Sequence, residues 1–351
     1  MFKLLKYLVL LFLLVAVVGG FAASTFWNRL HEPFKGYAAE ERFVDIPAGA
    51  STGEIGRRLI AAGVVADEVV FRIALWWSGE ARRLKAGEYR FDRALTPLDA
   101  IATLARGEVY ARRLTFPEGL TIAEMAKVYE TRGFGTAAAF ATAARNVELI
   151  RDLDPAARDL EGYLFPETYS LPRDTAASRL VALMVDRFRA SYPEALRARA
   201  VAQGFSTRQV VTLASLVEKE TGQPQERPVV AAVYRNRLRI GMPMQADPTV
   251  VFALARAGRY NGNIRREDLA YDSPYNTYKY PGLPPGPIAA PGKASLEAAL
   301  TPADVGYIYF VSRNDGSHVF ATTLAEHNRN VQRFQIEYFR EQRRRAQGSS
   351  Q

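Results

Sequence analysis

An apolar run near the N-terminus constrains the fold more than any other feature of the chain. Residues 8–21 carry no charge, and the wider span 4–27 contains one charged side chain, Lys6. A span of about 20 apolar residues crosses a bilayer as a helix. Lys3 and Lys6 precede the run and Trp27 closes it, which favours a short cytoplasmic start and an exported remainder.

A cleaved signal peptide is the competing interpretation, because residues 20–23 offer small side chains to a signal peptidase. A retained anchor is favoured, since the apolar core of a signal peptide is usually shorter, about 7–15 residues. We therefore predict a cytoplasmic start and transmembrane anchor at 1–27, followed by a polar linker at 28–42.

Composition limits the kinds of site and partner. The chain contains no cysteine, which excludes disulfides, a cysteine nucleophile and a cysteine metal site. Its net charge of +9 suits an anionic neighbour such as a membrane surface, a cell-wall polymer or nucleic acid. Much of the excess lies at the C-terminus, where we predict a basic and polar tail at 341–351 and interpret it as a solvated helix end. Because the sequence has no nucleic-acid-binding signature, we predict no nucleic-acid partner.

Residues 43–112 predict a small α/β module. Its order of strand, helix, helix and strand resembles a LysM-like glycan-binding module. Polar N-caps and glycine stops set the helix ends. The predicted elements are a strand at 43–46, a helix from Ser51 to about Gly63, a helix after Asp67, a strand at 87–91 and a helix from Thr96 to Gly107.

A weak internal repeat links this module to the residues that follow it. With a shift of seventy residues, 46–54 aligns with 116–124 and Gly63 aligns with Gly133. Each copy is a strand, a tight turn, a capped helix and a glycine stop. Duplication and convergent turn chemistry explain the match equally well, and both predict small α+β modules.

Residues 213–221 (LASLVEKET) place two carboxylates, Glu218 and Glu220, on a predicted helix with Ser206 as its N-cap. At 100° per residue, both acids border the buried arc of an otherwise apolar stripe. We expect the opposite, solvated face to carry Thr212, Ser215 and Lys219.

An acid against apolar side chains has its charged form disfavoured, so its pKa rises toward the range of a general acid near neutral pH. A general acid of this kind cleaves glycosidic bonds. The alternative is a pair of glutamates that form ion pairs with Lys or Arg at the edge of the helix. Helix geometry alone does not choose between Glu218 and Glu220.

Two more segments have a composition that suits a sugar polymer. Residues 161–169 combine aromatic side chains with acids, the pairing with which proteins stack and hydrogen-bond sugar rings, although a core-filling loop has a similar composition. Residues 273–288 are rich in proline, which excludes a helix and predicts a rigid wall that presents Tyr275, Asn276 and Tyr278, or else a structural crossover.

Sequence motifs of several enzyme classes are absent. The chain lacks the HExxH zinc motif, a Walker loop, a GxGxxG turn and a GxSxG elbow. Its histidines are His31, His318 and His327, too few to favour a histidine-based metal centre. We therefore predict no cofactor and no metal.

Taken together, the motifs resemble the endolytic murein transglycosylases, membrane-anchored bacterial enzymes of the YceG-like type. The resemblance extends from the apolar N-terminus to about His327. Its most specific elements, in chain order, are residues 161–169, 213–221, 235–238, 245–248, 275–278 and 282–288.

The resemblance implies an α+β protein with a catalytic domain at 113–340, on the periplasmic side of the bacterial inner membrane. It assigns the catalytic role to Glu218 and makes Glu220 a supporting acid. The implied reaction cleaves the β-1,4 bond between N-acetylmuramic acid and N-acetylglucosamine in nascent peptidoglycan strands, beside the synthases. The residues predicted to hold the strand are Glu161, Glu167, Tyr169, Gln245, Asn276 and Tyr278.

Two alternatives come from other functional classes. One is a non-catalytic, membrane-anchored scaffold that binds peptidoglycan and tethers synthesis enzymes. The other is a pyridoxal-phosphate lyase, which needs a Schiff-base lysine. Lys219 is predicted to face solvent, and no phosphate-cradling glycine loop lies near Lys279 or Lys293.

Overall fold

The structure is a computed structural model that describes residues 2–173 and 175–348. It is a mixed α+β fold of helices and small two-stranded sheets, which confirms the predicted fold class. The chain divides into two compact units. The first comprises Met1–Arg113 and Ser170–Arg173, and the second comprises Leu114–Tyr169 and Asp174–Gln351.

The first unit begins with the apolar helix and continues as the predicted module. Segment Leu10–His31 of the first helix is long and apolar enough to cross a membrane, with 22 residues and a mean hydropathy of 2.1. The elements are α1 (Phe2–His31), β1 (Arg42–Ile46), α2 (Thr52–Ala61), α3 (Glu68–Ser78), β2 (Gly87–Phe91) and α4 (Pro97–Arg106).

The core of the module lies between the antiparallel pair of strands β1 and β2 and helices α2 to α4. Strands β1 and β2 are antiparallel, with Val44 opposite Tyr89. Both side chains are buried, together with Phe71 of α3 and Ile101 of α4. The predicted order of strand, helix, helix, strand and helix is confirmed.

Residues 28–42, predicted to be a polar linker, are bound to this module. Leu30 is buried in its core. The backbone of Phe34 exchanges two hydrogen bonds with Leu95, and the Gly36 N–H donates to Gly63 O at 2.8 Å. The segment between α1 and β1 is therefore fixed along much of its length.

The second unit is mainly helical. The chain leaves the first unit within β3 and returns briefly within β4, and these two strands pair. The elements are β3 (Arg112–Thr115), α5 (Ile122–Thr131), α6 (Ala137–Ala143), β4 (Thr168–Leu171), α7 (Ala177–Ser191), α8 (Glu194–Ala202), α9 (Thr207–Glu220), α10 (Arg227–Arg239), α11 (Asp247–Arg256), α12 (Lys293–Leu300), β5 (Tyr309–Ser312), β6 (His318–Ala321), α13 (Leu324–Val331), a π-helical segment (Gln332–Glu337) and α14 (Tyr338–Gly348).

The two copies of the predicted repeat have the same local structure. In the second copy, Thr121 and Glu124 form a capping box at the start of α5. The glycine stops, Gly63 and Gly133, have φ angles of +74° and +69°, a region that glycine enters without strain. The shared element order is confirmed, and both explanations of the repeat remain compatible with it.

An antiparallel hairpin of β5 and β6, followed by α13, precedes the last helix. Strands β5 and β6 are antiparallel, with Phe310 opposite Phe320. The turn at 314–316 between them contains two residues with positive φ, Asn314 and Gly316. Part of the predicted tail lies in α14, and its residues 349–351 lie outside the described residues.

Candidate active site

Helix α9 holds the two carboxylates in fixed positions. Ser206 caps it as predicted, and Gln209 completes a capping box. The helix is more buried than its periodicity indicates, because Thr212 and Ser215 are buried rather than solvated as predicted. The Ser215 hydroxyl donates to Thr212 O and accepts the Ile288 N–H at 3.1 Å, so the proline-rich wall covers this face.

Glu218 lies in an ionic cluster and accepts hydrogen bonds on both of its carboxylate oxygens. Its Oε2 accepts hydrogen bonds from Ser295 Oγ at 2.7 Å and from the Gly292 N–H at 3.0 Å. Its Oε1 accepts from the Arg227 guanidinium at 3.3 Å, and 6% of its side chain is exposed. Both oxygens are therefore already paired within the protein.

A second acid joins this cluster from the turn after β3. Glu118 lies 3.6 Å from the Arg227 guanidinium. Burial and the charge of Glu218 raise the pKa of Glu118, and Arg227 opposes the shift. A Cβ on Gly292 would lie 1.8 Å from Glu118 Oε1, so any side chain at this position would displace the carboxylate.

Glu220 points to a different environment. Burial raises the pKa of its carboxyl from 4.5 to about 7, and a hydrogen bond from Tyr234 Oη at 3.0 Å opposes part of that shift. It lines a polar cavity of about 290 Å³. The other lining residues are Arg237, Gln245, Asp247, Tyr278, Phe310, Val311, Ser312, His318 and His327.

Backbone and side-chain bonds fix the walls of this cavity. Arg237 is 6% exposed and donates to the carbonyls of Met244 and Ile308. Tyr278 Oη donates to Asp247 Oδ1 at 2.5 Å. Gln245 adopts φ +50°, a left-handed conformation that is rare for a side chain other than Asn or Asp and often marks a functional site.

Hydrogen bonds between His318 and Glu226 hold one edge of the cavity. His318 Nδ1 lies 2.7 Å from Glu226 Oε2, and the His318 N–H donates to Oε1 of the same carboxylate. Although burial opposes it, the hydrogen bonds from His318 lower the pKa of Glu226. Thr221, the C-cap of α9, donates to Glu226 as well, so the pair fixes the end of the helix that bears Glu220.

Two predicted strand-binding residues, Gln245 and Tyr278, thus lie beside Glu220, whereas others are engaged elsewhere. Asn276 is fully buried and donates to the carbonyls of Leu269 and Tyr271, while its Oδ1 accepts the Tyr278 N–H. Its side chain holds the loop that carries Tyr278.

Glu161, Glu167 and Tyr169 also make bonds within the protein. Glu161 is buried and accepts the Ile122 N–H at the start of α5, and burial raises its pKa to about 8. Glu167 forms an ion pair with Arg187. Two cavity residues that were not predicted as site residues, Arg237 and Asp247, lie inside the segments 235–238 and 245–248 that carry the family resemblance.

Known proteins are similar in sequence to this chain over most of its length. The profile of the YceG-like family matches residues 44–333. An endolytic murein transglycosylase of Bacillus subtilis is 33% identical over 335 residues, covering 91% of each chain. One of Streptococcus pneumoniae strain D39 is 30% identical over 92% of this chain, which spans 63% of that longer relative.

A solved structure adds agreement in fold. The crystal structure of a YceG-like protein from Listeria monocytogenes is 31% identical and superposes with a TM-score of 0.56. The match covers 83% of this chain and 98% of the other. The chain belongs to the YceG-like family.

Proposed function

We propose that the protein is an endolytic murein transglycosylase, the activity for which its relatives are named. It cleaves the β-1,4 bond between N-acetylmuramic acid and N-acetylglucosamine within nascent glycan strands and leaves a 1,6-anhydro end. The observation that carries this proposal is a polar cavity lined by Glu220, whose pKa burial raises to about 7. A group with that pKa both gives and takes protons near neutral pH.

The contacts favour Glu220 as the acid, in place of Glu218, which the family resemblance indicated. Glu220 lines the cavity and accepts one hydrogen bond, from Tyr234. Glu218 pairs both oxygens, one of them with Arg227. We assign Glu218 the role of holding Arg227 and the start of α12.

One carboxyl suffices for the reaction. Protonated Glu220 donates its proton to the glycosidic oxygen as the C1–O bond breaks through an oxocarbenium-like transition state. The resulting carboxylate then takes the proton of the muramic C6 hydroxyl, whose oxygen bonds to C1 of the same sugar. Glu220 is reprotonated and no water is consumed. A nucleophile within the same molecule can lower the barrier by about 7–11 kcal/mol when it is well oriented.

The other residues of the cavity suit a sugar substrate. Gln245 and Tyr278 offer donors and acceptors for hydroxyl and acetamido groups. Arg237 places a buried positive charge in the same wall. Glu161, Glu167 and Asn276 are engaged in the bonds described above, and Tyr169 Oη donates to Phe165 O.

Digestion of purified peptidoglycan by the full chain tests the proposal, with mass spectrometry of the released ends. Wild type should produce anhydromuramic ends, Glu220→Gln should lose them, and Glu218→Gln should retain part of the activity. Loss confined to Glu218→Gln would return the acid to Glu218. Reducing ends would identify a hydrolase. If wild type cleaves nothing while a control enzyme works, the result would favour the non-catalytic scaffold that binds peptidoglycan.

We propose that α1 anchors the protein in the bacterial inner membrane, with the remainder on the periplasmic side beside the synthases. The apolar segment Leu10–His31 supports the anchor, and the preceding lysines support the orientation. The module at 43–112 is proposed to be LysM-like, supported by its order of strand, helix, helix and strand. Protease accessibility in spheroplasts checks the orientation, and co-sedimentation with glycan checks the module.

A further inference from the structure

Helix α3 of the first unit is apolar on both faces. Its inner face packs Val70, Phe71, Ala74 and Leu75 into the core. Its outer face exposes Val69 by 61%, Trp76 by 79% and Trp77 by 57%. Large apolar side chains exposed together on one face have the composition of a contact surface.

The outer face of α3 adjoins the end of the apolar helix. The rings of Trp77 and Trp27 meet edge to face, with centroids 6.0 Å apart. Arg29 lies 3.6 Å from Asp67, the N-cap of α3, so a charge contact joins the two helices at a second point. Trp77 therefore lies at the depth at which α1 ends its apolar span.

That depth identifies the surface that the helix meets. Tryptophan is enriched where a transmembrane helix enters the headgroup region, and Trp27 occupies this position on α1. Trp77, whose ring centroid lies 6.0 Å from that of Trp27, is therefore within or next to the same layer. Arg72, exposed between Val69 and Trp76 on α3, presents a guanidinium that suits lipid phosphates.

We propose that the outer face of α3, formed by Val69, Trp76 and Trp77, docks in the headgroup region of the bilayer that α1 crosses. This proposal rests on the membrane anchor proposed above. The first unit then has two attachments to the lipid, one that spans it and one that lies in its interface, where apolar side chains enter by about 5–10 Å.

The chain carries its own probes for a test. Its three tryptophans are Trp27, Trp76 and Trp77, so fluorescence reports on this region alone. The full chain is reconstituted in vesicles of phosphatidylcholine and phosphatidylglycerol. Variant Trp27→Phe/Trp77→Phe reports on Trp76, and variant Trp76→Phe/Trp77→Phe reports on Trp27. Each is quenched in turn by lipids brominated near the headgroup and by aqueous iodide.

Docking predicts that Trp76 is quenched by brominated lipid and is several-fold less accessible to iodide than in the same variant unfolded in guanidinium. If Trp27 is quenched by lipid while Trp76 stays open to iodide, docking is refuted and the anchor stands. If neither is quenched by lipid, the anchor fails and docking fails with it. If purified glycan strands, but not vesicles, protect Trp76, the surface binds glycan and the proposal is overturned.

Discussion

Replacing either carboxylate of α9 by glutamine should change the free energy of unfolding, and the change should have opposite signs for Glu220 and Glu218. The folded state raises the pKa of Glu220 from 4.5 to about 7, so it keeps a proton that the unfolded chain releases between these values. The stability from this group is complete below pH 4.5 and is lost as the pH rises to about 7. A difference of this size corresponds to about 3 kcal/mol.

Glu220→Gln removes that pH dependence, because the amide resembles the protonated acid at every pH. The free energy of unfolding of this variant minus that of wild type should increase by about 3 kcal/mol from pH 4 to pH 8. Glu218→Gln should instead lose about 3 kcal/mol at pH 8, because it leaves the buried Arg227 guanidinium with the more distant Glu118 as its partner.

Urea unfolding of the detergent-solubilised chain, followed by far-ultraviolet circular dichroism at both pH values, measures these differences. Titration of Glu161 is common to all three proteins and cancels in the comparison. A Glu220→Gln variant whose stability relative to wild type is the same at pH 4 and pH 8 would refute the reasoning. So would a Glu218→Gln variant as stable as wild type at pH 8.

Further predictions concern the rate of glycan cleavage and the stability of the chain. The rate of glycan cleavage should fall as pH rises through about 7, where Glu220 loses its proton, which a pH–rate profile checks. Tyr278→Phe should lower kcat about tenfold by freeing Asp247, since a hydrogen bond to a charged group contributes about 1.5–3 kcal/mol. Asn276→Ala should destabilise the chain by about 3 kcal/mol in urea unfolding, because it removes a buried side chain that donates to two partly buried carbonyls. Glu161→Gln should retain wild-type cleavage at pH 7, measured by released anhydro ends.

Local signals made many elements of the fold predictable. Ser51, Asp67 and Thr96 each accept a hydrogen bond from a backbone N–H in the first turn of the helix that they were expected to cap. These bonds depend on residues three positions apart, which sequence displays directly. The hairpin of β5 and β6 was predictable for a similar reason, because its turn residues stand between two apolar runs.

The site was less predictable because its contacts join distant segments. Periodicity placed both glutamates of α9 at the border of the buried arc, but it could not show that Gly292 and Ser295 return to bind Glu218. The same return buries Ser215, which periodicity alone assigned to solvent. The family resemblance indicated the helix, and long-range packing distinguishes the environments of its two acids.

The bonded segment between α1 and β1 limits how far the module at 43–112 can move relative to α1. With a free linker of the same length, the distance between α1 and the module would vary by roughly 20 Å. The bonds of Phe34 to Leu95 and of Gly36 to Gly63 remove that slack. With α1 in a bilayer, as proposed, these bonds would hold the module at 43–112 at a constant height above the lipid surface.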